Sequence, residues 1–243
     1  IHLMAAQQAG AKIRYNWVHD TIKYGIRFDG DGEGFNGYIH HNVGWNCEGG
    51  IMVKGGIQDG GESVGGHFVY NNTVFNSVEK NDIMVLNVQA GNDINFGSVV
   101  MNNLAESISG HRTNAEALEA RIINSNNFTP GNVEDYLVNS ASFDFRPINN
   151  GSIVGAGNTT YTNFEFIPTG SESLTDDIGA LQYNGNRFQT GITWNSSDES
   201  DGQYATNNRF NFDFTPADVA WSPSTDITTV VWIDASDSST YTE

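Results

Sequence analysis

The sequence predicts an all-β chain wound as a right-handed parallel β-helix, followed by an irregular C-terminal extension, and three observations carry that expectation. The first is an asparagine-anchored repeat: Ile13-Arg14-Tyr15-Asn16-Trp17-Val18, Ile39-His40-His41-Asn42-Val43-Gly44, Val69-Tyr70-Asn71-Asn72-Thr73-Val74 and Val100-Met101-Asn102-Asn103-Leu104-Ala105. Its anchors Asn16, Asn42, Asn72 and Asn103 are 26, 30 and 31 residues apart, a spacing typical of one coil of a solenoid. The second is a unit recurring in phase with it: Gly25-Ile26-Arg27-Phe28-Asp29-Gly30, Gly50-Ile51-Met52-Val53-Lys54-Gly55 and Asp82-Ile83-Met84-Val85-Leu86-Asn87. The third is the period-2 alternation of these units, with helical i, i+3, i+4 spacing nearly absent and 27 Gly against 5 Pro.

Each element follows from that alignment. Two short strands per repeat stack about 4.7–4.9 Å from their equivalents, so matching side chains form ladders along the axis. Ile13, Ile39, Val69 and Val100 make one inward aliphatic ladder, and Ile26, Ile51 and Ile83 a second. The anchor asparagines stack at a turn, where amides bond one another and the backbone. Coils run from about Ile13 to Ala105, with a less regular one at Arg121–Phe128. Only Asn114–Ala120 reads as helical, a short insertion between coils.

The composition bounds the partners. A net charge of −18, from 29 acidic and 11 basic residues, argues against nucleic acid or an anionic membrane, both of which demand a basic face. No segment approaches the roughly 18 apolar residues of a membrane-spanning helix, so no membrane insertion is expected. Cys47 is the single cysteine, which excludes an intrachain disulfide and a thiolate cluster and suits a buried, inert thiol. Residues 1–167 hold all six histidines and nine of the eleven Lys and Arg, so chemistry belongs on the solenoid rather than on the tail. A hydrophobic content of 38% fits a core drawn out as a narrow aliphatic column.

The later motifs Phe143-Asp144-Phe145-Arg146-Pro147, Ser152-Ile153-Val154-Gly155-Ala156-Gly157 and Asp177-Ile178-Gly179-Ala180-Leu181-Gln182-Tyr183 extend the pattern. Their succession resembles the closing coils of bacterial secreted right-handed parallel β-helix proteins of the pectate-lyase-like superfamily. The resemblance spans about residues 10–184 and bears on fold more than on activity. It implies a secreted or cell-surface bacterial protein acting on polysaccharide. Residues 1–184 are thus expected to be a β-helix truncated at its N-terminus, Ile1–Ala5 belonging to a cut coil. Residues 185–226, with the polar run Ser196–Gly202, read as a linker. Val230-Val231-Trp232-Ile233-Asp234-Ala235 resembles the first strand of a concanavalin-like (laminin-G type) domain, placing residues 227–243 in a truncated lectin-like module. The expected whole is a monomer within a larger multidomain chain.

Candidate chemistry sits outside the inward ladders. Asp29 and Lys54 share a ladder position, which reads either as a surface salt bridge or as part of a lyase site. A lyase needs a cation or metal to neutralise the substrate carboxylate and a base to take the adjacent proton, and Lys54, with Gly55 and Gly56 beside it, suits either role. Arg14, His40 and Tyr70 share an outward ladder and could line a sugar groove as anion clamp, proton-transfer group and stacking ring; an ordinary solvated face is the other reading. Arg27 points outward between Ile26 and Phe28, and His111-Arg112 forms an exposed basic pair that either reaches a polyanion or simply solubilises its loop. In Asp29-Gly30-Asp31-Gly32-Glu33-Gly34 the acids Asp29, Asp31 and Glu33 alternate as oxygen ligands for Ca²⁺ do, against the plainer reading of an acidic loop. His19 and Asp20 are adjacent, and neighbours on a strand point apart. For hydrolysis the candidate carboxylate pairs are Asp29 with Asp31 and Glu48 with Asp82.

The expected function is a carbohydrate-active β-helix, a polysaccharide lyase cleaving a uronate-containing or sulfated polymer by β-elimination. Lys54 and His40 are its catalytic candidates, and Arg14, Arg27, Tyr70, His111 and Arg112 its binding residues. A β-helix glycoside hydrolase and a non-catalytic carbohydrate-binding or adhesin solenoid are the alternatives.

Overall fold

The computed structural model describes residues 1–4, 8–30, 34–56, 66–89, 91–161 and 174–185. In chain order the strands are β1 (His2–Met4), β2 (Lys12–Arg14), β3 (Trp17–His19), β4 (Tyr24–Asp29), β5 (Tyr38–His40), β6 (Val43–Trp45), β7 (Gly49–Lys54), β8 (Phe68–Tyr70) and β9 (Thr73–Phe75). They continue as β10 (Ile83–Val85), β11 (Val88–Gln89), β12 (Asn92–Asp93), β13 (Val99–Met101), β14 (Leu104–Ala105), β15 (Ile108–Ser109), β16 (Ile123–Ser125), β17 (Leu137–Asn139) and β18 (Asp144–Pro147). Three parallel sheets form a β-solenoid of about four turns. Sheet 1 orders β2-β5-β8-β13-β16, sheet 2 β3-β6-β9-β14, and sheet 3 β1-β4-β7-β10-β15.

Each coil therefore has three strands, where the repeat suggested two. The sequence unit around each anchor holds a corner. Tyr15, His41, Asn71, Asn102 and Asn126 all take left-handed φ values between 48° and 55°, so the chain bends there from sheet 1 into sheet 2. Asn reaches this region at little cost, because its short amide bonds the local backbone. A second left-handed corner follows sheet 2 at Asp20, Asn46 and Asn76.

The next residue after the first corner carries the ladder. The Asn16, Asn42 and Asn72 amides each donate to the side-chain carbonyl of the next anchor at 3.0 Å. Asn103 extends the row to Asn127, one coil beyond the repeat that the sequence reveals, at 2.9 Å. The same oxygens accept the backbone N–H of the preceding anchor, and the second amide proton goes to a strand carbonyl, as from Asn72 to Ile39. Inside, Ile13, Ile39, Val69 and Val100 pair in register, as do Ile26, Ile51 and Ile83, and all are buried.

The core is broader than a narrow column, because sheets 1 and 2, and part of sheet 3, are also covered on their outer faces. Tyr38 stacks on Phe68 outside sheet 1, against Tyr161 and Leu174. Outside sheet 2, Trp45, Phe75 and Leu104 pack against Val133, Phe145, Ile153 and Ile178 of the closing segment. Outside sheet 3, Met52, Met84, Leu86 and Ile94 form a fourth cluster with Tyr24. Cys47 is buried, and burial pushes its thiol up, as expected of an inert cysteine.

Asn114–Ala120 is not helical. Asn87 holds it in an irregular path, donating to the Glu116 carboxylate and the Ala117 carbonyl and accepting from Glu119 N–H, so tertiary bonds override local propensity. Asp144–Pro147 forms an antiparallel hairpin with β17 rather than a parallel coil. The closing segment is clasped by the corner asparagines. Asn71 donates to Thr175 Oγ1 and to the carbonyls of Asp177 and Gly179, Asn102 to the carbonyls of Asn158 and Thr175, and Asn126 to that of Ala156. Beyond Gly185, the expected linker and the lectin-like strand at 227–243 lie outside the described residues.

Two outcomes follow for stability. Asn72→Ala strands several buried polar groups, each costing about 1–3 kcal/mol, whereas Asn16→Ala at the half-buried end of the ladder costs less; urea unfolding of the two variants measures the gap. The pH profile is set by buried neutral histidines. Burial lowers His41 to about 3 and His67 to about 4, while His67 accepts from Gly37 N–H and shares a bond with the Gly34 carbonyl. A folded pKa below the unfolded one gives stability that is complete above about pH 6.5 and lost as pH falls through the folded values. Asp82, raised by burial to about 6, acts oppositely: its contribution is present below its unfolded value and lost as pH rises through about 6. With the histidines in the majority, unfolding at pH 5 takes up protons and the urea midpoint drops from pH 7 to pH 4.5.

Candidate functional site

Strand β4 alternates Ile26 and Phe28 inward, so Arg27 and Asp29 face out of sheet 3. Asp29 lies in register with Lys54, and its Oδ1 is 2.6 Å from Lys54 Nζ. Its other oxygen bonds the Arg27 guanidinium and sits 3.7 Å from His2 Nε2. Burial alone raises the Asp29 carboxyl, but the Lys54 hydrogen bond and the charges of Lys54, Arg27 and His2 outweigh it and hold the group below its ordinary value. The pair expected from the ladder alignment is therefore real, and it is partly buried rather than a loose surface bridge.

Next to it, three cations close around Tyr24. The Arg27 guanidinium carbon stands 5.3 Å and Lys80 Nζ 5.6 Å from the ring centroid, within cation–π range. Arg112 Nε donates to the Tyr24 hydroxyl at 3.2 Å. Asn81 holds the Arg112 loop in place, donating its backbone N–H to the Arg112 carbonyl and its amide to that of His111. Lys80 also pairs with Glu48, whereas Arg112 has no ion pair among the described residues. Four of the chain's eleven Lys and Arg thus meet on one half-exposed face of a strongly acidic protein.

Gly49 makes this closure feasible. It is in register with Tyr24, and a Cβ there would lie 3.0 Å from Lys80 Cβ and 3.2 Å from Tyr24 Cδ1. Sequence reasoning missed Tyr24 and Lys80. The available signal was that glycine, opposite an aromatic in the second repeat unit.

The other candidates fall elsewhere. Arg14, His40 and Tyr70 do share a ladder, but on sheet 1, so one groove shared with Lys54 and Arg27 is not formed. Nor is that face solvated. His40 is 0% and Tyr70 1% exposed, with their rings stacked at 4.7 Å and 5°. His40 Nδ1 lies 2.8 Å from His41 Nδ1; burial first, then the charges of His41, Arg14 and Lys12, hold its imidazole well below the ordinary value. A group so enclosed has no path to a polymer. His111 and Arg112 are half-buried rather than exposed, and His111 Nδ1 accepts from Thr113 and Asn114 N–H.

Of the calcium candidates, Asp31 and Glu33 lie outside the described residues, and Asp29 faces three nitrogen-bearing groups that repel a cation. The described residues contain no group of three or more His, Cys, Asp or Glu able to hold a metal. Glu48 and Asp82 do not form an open carboxylate pair. Glu48 binds Lys80, while Asp82 is buried and accepts from the backbone of Ser77, Glu106 and Ser107. His19 and Asp20 do meet, at 2.6 Å, because Asp20 takes a left-handed φ of 53° and turns its carboxylate back.

Chemically, the sheet 3 face offers fixed cations for a carboxylate or sulfate and a hydroxyl that can carry a proton. No protein-family model matches this chain, and no significant match is found to curated proteins or to solved structures.

Two substitutions check this geometry. Gly49→Ala is expected to cost about 1–3 kcal/mol, because the methyl wedges Lys80 off the ring; a thermal melt and the loss of ring-current shifts on the Lys80 side chain report it. Lys54→Ala leaves Asp29 with one strong partner and lowers the melting temperature, so its effect on any activity has to be read against that loss.

Proposed function

We propose that this solenoid engages an anionic polysaccharide across the outer face of sheet 3 and cleaves it by β-elimination. The observation that carries the reading is the convergence of Arg27, Lys80 and Arg112 on Tyr24, beside the Asp29–Lys54 pair, in a chain of net charge −18. A local basic face on an acidic body is what selects a polyanion by contact while the long-range field repels it. The resemblance of the closing motifs to secreted pectate-lyase-like β-helix proteins supports the same class of substrate and an extracellular setting.

Arg27 and Arg112 hold the uronate carboxylate and lower the cost of the carbanion that forms beside it. The Tyr24 hydroxyl gives its proton to the departing glycosidic oxygen while its oxygen takes one from the carbon α to that carboxylate. The bond between the neighbouring carbon and the glycosidic oxygen breaks, and a carbon–carbon double bond forms. Tyr24 is thereby restored. This replaces His40 as the proton-transfer group and leaves Lys54 to fix Asp29 and, through it, Arg27.

Binding without turnover is the second reading, favoured by the commitment of Lys54 to Asp29 and Lys80 to Glu48. One assay separates them. Uronate-containing polymers should yield the ultraviolet absorbance of an unsaturated uronate; reducing ends without it mean hydrolysis, and retention without either means a binding scaffold. Tyr24→Phe is expected to abolish the absorbance while polymer affinity persists. Arg112→Ala should weaken binding about tenfold, the loss of one charge-assisted contact, and flatten its salt dependence.

A further inference from the structure

The chain contains three Asn-Gly pairs, Asn36-Gly37, Asn150-Gly151 and Asn184-Gly185. In such a pair the glycine nitrogen can attack the asparagine side-chain carbonyl, since no Cβ on the glycine obstructs the approach. We infer that Asn150-Gly151 is a self-modification site, at which Asn150 loses ammonia through a cyclic imide and becomes isoaspartate or aspartate.

The three pairs differ in what holds the attacking nitrogen. Gly37 N–H donates to the buried His67 Nδ1 at 3.1 Å, and Gly185 N–H donates to the Gln182 carbonyl at 3.0 Å. Gly151 N–H has no hydrogen-bond partner among the described residues, and Gly151 is exposed. Both reacting groups are also activated. Ser152 N–H donates to Asn150 Oδ1 at 2.9 Å, an Asx turn that polarises the side-chain carbonyl and stabilises the charge formed on attack. The Asn150 main-chain carbonyl accepts from Ile153 N–H at 3.0 Å and Val154 N–H at 2.8 Å. Those two bonds draw electrons from the Asn150–Gly151 amide and make its N–H a better acid.

The reaction balances with water as its one reagent. Gly151 N gives its proton to hydroxide and bonds Asn150 Cγ. The Cγ–Nδ2 bond breaks, and the leaving nitrogen takes a proton from water and departs as ammonia. Water then opens the five-membered imide. Opening at Cγ gives aspartate; opening at the main-chain carbonyl gives isoaspartate, with the backbone rerouted through Cγ by one extra methylene. The isoaspartate turn no longer offers a peptide carbonyl to Ile153 and Val154. Ile153 is buried with the sheet 2 aromatics, and its carbonyl accepts from Ile178 N–H, so the change reaches the closing segment.

The test is incubation of the whole chain at pH 8 in heavy-oxygen water, followed by peptide mapping. In the native protein Asn150 should convert ahead of Asn36 and Asn184, with uptake of heavy oxygen and a rate that rises with hydroxide concentration. Gly151→Ala is accommodated, because a Cβ there meets nothing within 4 Å; it should slow conversion about tenfold without shifting the melting temperature. In urea all three pairs should convert alike, since the bonds that distinguish them are gone. Converted protein should also exchange Ile153, Val154 and Ile178 N–H faster, with Ile51 N–H unchanged. Asn36 or Asn184 converting first in the native protein, an intact Asn150 while the urea-unfolded chain converts, or full-rate conversion in Gly151→Ala overturns the assignment. Unchanged exchange in converted protein overturns its link to the closing segment.

Discussion

Everything in this molecule depends on a buried amide that only the neighbouring coil can satisfy. Asn42, Asn72 and Asn103 lie in the interior, where an unpaired amide costs several kcal/mol, and each finds its acceptor one coil along. The requirement fixes register as hydrophobic burial alone does not. A slip by two residues would keep the aliphatic columns inward, and the broken amide row is what opposes it. The same row places the corners, and so sets which residues each sheet turns outward.

Outward does not mean accessible. Sheets 1 and 2 carry aromatic layers sealed by distant parts of the chain, Tyr161 and Leu174 on one and Val133, Phe145, Ile153 and Ile178 on the other. Sheet 3 is sealed only over its methionine cluster, leaving Arg27, Lys54, Lys80 and Arg112 half-exposed around Tyr24. Function is therefore decided by what covers each face, more than by which residues alternate outward. That is why His40, correctly aligned with Arg14 and Tyr70, is enclosed.

The legible part of the chain was the part governed by local period. Val, Ile and Asn recur with the coil, so both aliphatic ladders, the anchor row and the Asp29–Lys54 pairing could be read directly. The third strand was hidden because Tyr15 and His41 occupy left-handed corners without an Asn or Gly to mark them. The Asn114–Ala120 segment has a helical composition, yet Asn87, a coil earlier, dictates its path. Tyr24 meets Arg112 across 88 residues, and no periodic signal links the two.

The corner asparagines that clasp the closing segment alter how the solenoid behaves as a chain of units. A stack in which each repeat touches only its neighbours can fray from either end, one coil at a time. Here Asn71, Asn102 and Asn126, on three successive coils, grip one segment, with Gly179 N–H bonded to the Asn102 carbonyl and Ala180 N–H to Thr73. Opening any of these coils requires releasing a tie shared by the others. The segment acts as a splint laid along the stack, and it turns a one-dimensional array into a body whose last coils come apart together.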